Sequence, residues 1–438
     1  MSEEGLHSTE TGDSSDILVG RPESILGLSR NLWRLALVVG VAQFSSSIWS
    51  WQFAIFLETI IEPWQMGLTF SIGIIASSLG FPLSGMISDM IGRKRTMALA
   101  FLPMIIGLVL LSYFSVWPFI PVYYAFIQFG WSFVLISSRA VPADEIAQDD
   151  GRDAAKRFTM VLMPAFFIDG LAPMLGAFLI TFGFESRHLM LLGTGGAFLA
   201  MVATLVVVRE SLVEAIQEKA RVGPKVPLRE LGSNFWKLVG GLMLFYFAFN
   251  ISIPYLGNLA TNPVSGWGLD TATFGYAWSA FSLTGAILIY AASSLADKNV
   301  KVGLSVALFW NAVMFLALSV GTGASLMIAL NIVWAFPVMM WLGAERALIV
   351  ADVSEQMKGR ALGFFAVVMN LTYIIAAPLG AWVWATYGSL RFLYYVSGIL
   401  CILAIIPAVA AFKWMKAPAK HVDSKHPDEV TRAPGDLL

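Results

Sequence analysis

The stretch GMISDMIGRKR, residues 85–95, decides how the rest of the chain is interpreted. It lies between two long apolar runs, with Asp89 at the end of the first run and three consecutive bases at 93–95 before the second. Gly92 permits a tight turn, and Gly85 lets two helices approach closely. A basic turn between apolar runs is typical of a loop on the cytosolic face of a membrane.

The composition of the whole chain points to the same environment. Of 438 residues, 57% are hydrophobic and 13% charged, whereas charged residues make up about 25% of a soluble protein. The formal net charge of −1 offers no basic field for a nucleic-acid partner. Cys401 is the single cysteine, and no histidine lies in the middle of an apolar run. We therefore expect no disulfide, metal or cofactor.

Apolar runs of about 20 residues, the length that crosses a bilayer core, recur along the chain. We predict an all-α membrane protein with twelve transmembrane helices, at about 32–58, 65–90, 97–116, 119–141, 158–183, 188–208, 236–260, 271–295, 301–321, 324–344, 361–386 and 392–412. The predicted domains are a disordered cytosolic head at 1–31, six-helix bundles at 32–208 and 236–412, a cytosolic linker at 209–235 and a cytosolic tail at 413–438.

The distribution of bases predicts the orientation of these spans. If both termini lie in the cytosol, 26 of the 28 Lys and Arg residues fall on the cytosolic side, and only Arg187 and Arg391 lie outside. This asymmetry follows the positive-inside rule. We expect a multi-pass protein of the plasma membrane with both termini cytoplasmic.

The chain also repeats itself at an offset of 204 to 208 residues. Asp89 corresponds to Asp297, and Arg139 corresponds to Arg346 at the start of the loops predicted after spans four and ten. Each of these arginines is followed by an Ala-Asp pair and then by Gly-Arg, and Ala-Pro pairs recur in spans five and eleven. Ordered matches at a nearly constant offset predict two pseudo-symmetric six-helix halves, with the substrate path between them.

The stretch at 85–95 resembles the loop signature of the major facilitator superfamily (MFS), G-x-x-x-D-x-x-G-R-K/R, through Gly85, Asp89, Gly92, Arg93 and Lys94. The second-half copy is degraded and keeps Asp297-Lys298. The resemblance covers about residues 30–415 and implies an alternating-access secondary transporter. It also implies that Asp89 meets the positive N-terminal end of span eleven in one conformation, a latch of about 0.3–2 kcal/mol. Asp297 would meet span five in the same way.

Asp169 is the one acid predicted well inside a span, and intramembrane carboxylates are costly and usually functional. No Lys or Arg is predicted in the middle of a span to keep it ionised. Two interpretations stay open: a proton-coupling site, or a neutral acid hydrogen-bonded within the bundle. Glu58 is expected to be solvated at the outer interface, and Glu345 to form a structural pair with Arg346.

The resemblance implies that spans one, four, seven and ten line the cavity. Their polar and aromatic residues are cavity candidates: Gln43, Trp49, Gln128, Trp131, Tyr246, Asn250, Asn331 and Trp334. Such a lining suits polyols or amphipathic molecules. A carrier of phosphate esters or nitrate would hold a midplane Arg, and none is predicted.

We therefore expect a monomeric, proton-coupled transporter of a small, sugar-like or other neutral metabolite, whose partners are that substrate, protons and the lipid bilayer. An efflux antiporter of the same superfamily is the alternative. A polytopic enzyme would need more catalytic residues than the lone Asp169. A retinal protein would need a mid-span lysine, and neither requirement is met.

Overall fold

The computed structural model describes residues 28–148, 154–210, 231–351, 353 and 358–415. Most of the predicted head and linker, and the tail from 416 onward, lie outside these residues. The side chains of 143–148, 154–159, Tyr290, Ser293, 296–297, 350–351 and 358–360 are also outside the description.

The described residues contain twelve helical spans that are long and apolar enough to cross a membrane, which confirms the predicted fold class. The helices are Arg30–Ser50, Phe53–Glu58, Pro63–Ile91, Arg93–Tyr113, Ile120–Gln148, Ala154–Thr181, Ser186–Val207, Gly232–Ser252, Leu256–Thr261, Thr271–Lys298, Val300–Val320, Ala324–Ala351, Lys358–Tyr387 and Leu390–Phe412. Spans one and seven each combine a long helix with a short one, and every other helix is one span.

The packing of the spans repeats between the two halves. In the first half, span one packs on spans five and six, span two on four, and span three on four and six. In the second half, span seven packs on eleven and twelve, span eight on ten, and span nine on ten and twelve. The halves meet through spans two and eleven and, equivalently, through five and eight. This arrangement leaves spans one, four, seven and ten around the axis between the halves.

Both chain ends of the described region lie on one side of the bundle, which we call the terminal end. Lys301, at the start of span nine, donates a hydrogen bond from Nζ to the Met415 carbonyl. The Arg209 amide, after span six, donates to Oδ1 of Asn31 at the start of span one. The opposite side, where spans one and seven finish at Glu58 and Thr261, is the distal end.

Spans one and seven break at matching positions in the two halves. In span seven, Pro254 lies in a 3-10 turn, Ile253–Tyr255, because proline cannot continue the hydrogen-bonded ladder. Span one breaks at Trp51 and Gln52, where no Gly or Pro is present. The buried Gln52 side chain instead bonds span six, accepting from Ser186 Oγ at Oε1 and donating to the Ser186 carbonyl at 3.3 Å. A six-residue helix follows each break.

Span four is longer than the sequence predicts. Its helix runs from Ile120 to Gln148 and contains Pro142, where the sequence suggested that the span ends. Arg139 therefore lies within a helix, and its assignment to the loop after span four is wrong. Proline is tolerated in membrane helices where neighbouring groups satisfy the freed backbone carbonyl.

Candidate substrate cavity

Asp169 lies near the middle of the helix Ala154–Thr181 of span five. Its Oδ1 accepts hydrogen bonds from two residues of span one, Gln43 Nε2 at 2.8 Å and Ser47 Oγ at 2.5 Å. Gln43 and Ser47 lie one helical turn apart and are joined by a further bond, Gln43 Nε2 to Ser47 Oγ at 2.8 Å. Oδ2 has no hydrogen-bond partner among the described residues, so one carboxyl oxygen is held and the other is left for a ligand, water or proton.

A cavity of about 160 Å³ opens beside this carboxylate. Its walls come from spans one, four and five, and combine apolar side chains with five that can form hydrogen bonds. The lining residues are Val39, Gln43, Trp131, Val134, Leu135, Ser138, Arg139, Leu162, Ala165, Phe166 and Asp169. A small organic molecule could place an apolar skeleton against Trp131, Leu135 and Phe166 while its polar groups meet the others.

Arg139 brings a positive charge into this cavity, which the sequence analysis missed. Its charge interacts with that of Arg346 in span ten, the matching residue of the second half. Both side chains are exposed, and neither guanidinium has a hydrogen-bond or ion-pair partner among the described residues. No arginine was expected at the midplane of a span, and Arg139 instead lines the cavity near the terminal end of span four. The offset of 207 residues between Arg139 and Arg346 was the available signal, although it does not reveal that Arg139 lines a cavity.

Glu345 is buried next to Arg346 but is held by other groups. Tyr246 Oη donates to both carboxyl oxygens, at 2.9 and 2.8 Å, and Trp341 Nε1 donates to Oε1 at 3.2 Å. Arg346 makes no direct ion pair with Glu345 within the described region. The predicted structural pair of Glu345 with Arg346 is therefore wrong. Tyr246 and Trp341 instead anchor Glu345 between spans seven and ten.

The eight cavity candidates separate into two groups. Gln43 and Trp131 line the cavity, Tyr246 bonds Glu345, and Gln128 Nε2 donates to Tyr124 Oη at 2.7 Å. The other four are buried in packing within one half, namely Trp49 against Gly193, Asn250 bonded to Thr372, Asn331 bonded to the Met327 carbonyl, and Trp334 bonded to Asn311. The structure thus places these four between helices and away from the described cavity.

The signature loop at residues 85–95 forms a compact turn at the terminal end. Gly92 has φ +97°, which favours glycine, so the predicted tight turn is present. Asp89 pairs with Arg93 at 2.9 Å, and Glu210 accepts the backbone N–H groups of Arg93 and Lys94 at 2.8 and 3.2 Å. Glu210 therefore caps the N-terminal end of span three, a favourable place for a carboxylate.

The close helix approach predicted at Gly85 is wrong for this conformation. A Cβ built there would meet no atom within 4 Å, whereas one on Gly67 of the same span would lie 2.8 Å from Pro378 Cα. Span two therefore approaches span eleven closely at Gly67, which is nearer the distal end than Gly85. The Asp89 latch stays a prediction, and so does that of Asp297, whose side chain lies outside the described part.

The distal end is joined by a carboxylate that the sequence analysis assigned to solvent. Glu58, at the end of span one, accepts hydrogen bonds from Asn258 Nδ2 at 2.6 Å and Asn262 Nδ2 at 2.5 Å in and after span seven. Asn258 Nδ2 also donates to the Ala54 carbonyl at 2.9 Å. Glu58 is therefore part of a contact between the halves, and its predicted solvated role is wrong.

Comparisons with known proteins agree with this architecture. The model of the Major Facilitator Superfamily matches residues 35–347 and, in a second match, 238–435. No curated protein sequence matches the chain significantly.

Solved transporters share the fold at low sequence identity. A bacterial homologue of the human lysosomal transporter Spinster has a TM-score of 0.67 at 14% identity, covering 87% of this chain and 96% of its own. A variant of the nucleoside transporter NupG has a TM-score of 0.74 at 13% identity, covering 87% and 99%. A variant of the peptide transporter POT has a TM-score of 0.67 at 14% identity, covering 90% and 97%. The chain belongs to the Major Facilitator Superfamily and is a multi-pass membrane transporter of a solute, not an enzyme.

Proposed function

We propose that this protein is a proton-coupled secondary transporter of a small organic solute, in which Asp169 carries the coupling proton. The observation that supports this role is the geometry of Asp169, whose Oδ1 is held by Gln43 and Ser47 while Oδ2 has no protein partner among the described residues. The carboxylate lines the same cavity as Trp131 and Arg139, so proton and solute share one space. A carboxylate that can release and rebind a proton beside the substrate is what coupled transport requires.

The orientation that we propose places both termini in the cytosol of a plasma-membrane protein. Of the Lys and Arg residues that the structure describes, Arg187 and Arg391 alone lie at the distal end, at the starts of spans six and twelve. With the distal end joined through Glu58, the structure would then be closed to the outside and would offer its cavity to the cytosol. Rocking of the two halves about the contacts between spans two and eleven and between five and eight would expose the cavity to the other side.

The test is transport by purified protein in proteoliposomes, with an imposed pH gradient and the membrane potential clamped. We expect Asp169→Asn to lose accumulation driven by the gradient while it retains exchange of internal and external solute. Glu62→Gln is the control, because Glu62 is exposed in the distal loop and takes no part in the cavity. Accumulation by Asp169→Asn at the wild-type level would exclude Asp169 as the proton carrier, and equal accumulation without a gradient would exclude proton coupling altogether.

A further inference from the structure

Arg139 and Arg346 are the most unusual charges in the described region, because they belong to opposite halves and neither guanidinium makes an ion pair or hydrogen bond with a described residue. They lie 207 residues apart at matching positions of spans four and ten, and their charges interact. Two guanidinium groups in this arrangement repel each other, which disfavours any movement that brings the terminal ends together. An anion bound between the two guanidinium groups would offset this repulsion and favour the approach of the terminal ends.

We infer that this pair binds the carboxylate of a small organic monocarboxylic acid, which is the transported solute. Arg presents a planar set of N–H donors that matches a carboxylate in two-point contact. The cavity beside Arg139 also provides Trp131 and Phe166 for the organic skeleton. This inference rests on the proposed function and replaces the expectation of a neutral, sugar-like substrate.

The charge count of the site favours a single negative charge on the substrate. Among the described side chains, Arg139 and Asp169 line the cavity, and Arg346 of span ten interacts electrostatically with Arg139 and with its buried neighbour Glu345. Spans one, seven and eight contribute Gln43, Tyr246 and apolar residues, with no charged side chain near this level among the described residues. With both acids ionised the four charges cancel. When Asp169 takes up a proton, one positive charge remains, and a monocarboxylate neutralises it.

This arrangement also connects substrate binding to movement. Arg139 belongs to the first half and Arg346 to the second, so a carboxylate held by both replaces repulsion between the halves by attraction. Glu345 keeps its own donors, Tyr246 and Trp341, and so does not compete for either guanidinium. A solute with one negative charge would therefore favour closure of the terminal end, and a neutral solute would not.

The first test measures equilibrium binding to the purified full chain, with no gradient. The probes are matched pairs of a carboxylate and its neutral amide, namely lactate with lactamide and benzoate with benzamide, together with gluconate, glucose and glucose 6-phosphate. We expect one carboxylate to bind about tenfold or more tightly than its neutral partner, and Arg139→Gln and Arg346→Gln each to weaken it by about tenfold, or 1.4 kcal/mol. Arg139→Lys should recover part of the affinity, because it keeps the charge and loses the two-point contact.

Arg187→Gln is the matched control, because Arg187 pairs with Glu185 at the distal end, far from the cavity. It should leave carboxylate binding unchanged. A second measurement needs no ligand: spin labels at Met90 and Leu295, both exposed near the terminal end, report the separation of the halves. Removing both charges in Arg139→Gln with Arg346→Gln should shift the population toward a closed terminal end, whereas Arg187→Gln should not.

The outcomes separate this inference from the proposed function. Preference for a neutral compound or a phosphate ester, or wild-type binding in the arginine variants, would overturn the inference. So would the absence of carboxylate binding together with an unchanged label distance in the double variant. If a carboxylate binds as expected but a pH gradient drives no accumulation, the anion site stands and proton coupling fails. If a neutral solute accumulates with the gradient in Arg139→Gln, proton coupling stands and the anion site fails.

Discussion

The distal and terminal ends of this transporter are built from equivalent helices but are joined in opposite ways. At the distal end, one carboxylate, Glu58, accepts hydrogen bonds from two amides of the other half. Toward the terminal end, two arginines at matching positions, Arg139 and Arg346, carry like charges that repel each other across the halves. Further hydrogen bonds join described residues of the two halves between the distal end and mid-span. Near mid-span, Asn370 Nδ2 donates to Ser78 Oγ. A few polar side chains, added to a nearly symmetric helix arrangement, therefore decide which end is closed.

The most direct way to break this asymmetry is to separate the halves where they touch at the distal side. A Cβ on Gly67 would lie 2.8 Å from Pro378 Cα and 3.1 Å from Ala381 Cβ. We expect Gly67→Val to destabilise the closed distal end by about 1–3 kcal/mol, a shift of about 5- to 150-fold in the population. Distances between spin labels at Thr59 and Val264, both exposed in the distal loops, would show it.

Gly195→Val is the matched control for this change. Gly195 lies in span six, and a Cβ there would meet no atom within 4 Å. The same label distances should stay at the wild-type value. Equal opening in the two variants would mean that valine perturbs the helices generally and that the contact at Gly67 does not hold the halves together. The only native thiol, Cys401, is fully buried and should leave the labelling background low.

A smaller but chemically sharper change removes the Glu58 carboxylate. Glu58→Ala leaves the fully buried Asn258 amide without one acceptor and Asn262 without another. Because unsatisfied buried donors cost about 1–3 kcal/mol, we expect the distal end to open about tenfold more often. The readout is the rate at which a thiol reagent modifies an introduced Ile55→Cys. Glu62→Ala, four residues further along and exposed, should not change that rate.

The latch predicted at the terminal end should have a weaker effect. In this conformation Asp89 is 42% exposed and pairs with Arg93, so Asp89→Asn should change the present state little. It should disfavour the conformation in which the terminal end closes, by about 0.3–2 kcal/mol. Label distances between Met90 and Leu295 in the presence of bound solute would measure this. An unchanged distance distribution and transport rate would exclude the latch.

The smallest expected effect concerns the acid sensitivity of the distal loop. Asp270 accepts hydrogen bonds from the hydroxyl and amide of Thr273 at the start of span eight, and these bonds lower its pKa. Its contribution to stability is therefore present above the usual pKa of an aspartate and is lost as the pH falls through the lowered value.

Asp270→Asn keeps a capping side chain and should match the wild type at neutral pH while losing this acid-dependent step. Asp270→Ala should lose the cap at every pH, at a cost of about 1 kcal/mol. Thermal midpoints measured between pH 7 and pH 3 would separate the two variants. An acid-dependent loss in Asp270→Asn equal to that of the wild type would assign the step to another carboxylate, with Glu58 the first to test.

The fold could be predicted because the length of each apolar run and the offset between the two halves can both be read directly along the sequence. A bilayer core sets the length of each span, and the recurrence of Asp89 as Asp297 and of Arg139 as Arg346 reports two related halves. The break in span seven was readable from Pro254. The break in span one was not, because Trp51 and Gln52 carry no breaking signal and the bend is stabilised by a contact with Ser186, 134 residues away along the chain.

The site was predicted less completely, because the rotation of each helix about its axis is hard to read in a membrane protein. Spans that are apolar all round give little indication of which face is inward, so Trp49 and Trp334 were assigned to the cavity although they pack between helices. Asp169 and Gln43 were both recognised, but their hydrogen bond was not. Arg139 was missed because it was assigned to the loop after span four, whereas the helix continues to Gln148.

The breaks in spans one and seven also affect how a membrane voltage would act on the molecule. Beyond each break only six residues remain, a layer about 9 Å thick at 1.5 Å per residue. A water-filled cavity reaching the terminal side would bring Arg139 and Arg346 close to the electrical potential of that side. Most of the voltage would then fall across the protein between the cavity residue Gln43 and Glu58, a distance that includes this distal layer, so the arginines would lie outside most of the field. The energy of one elementary charge changes by about 2.3 kcal/mol per 100 mV when the charge crosses the full membrane potential.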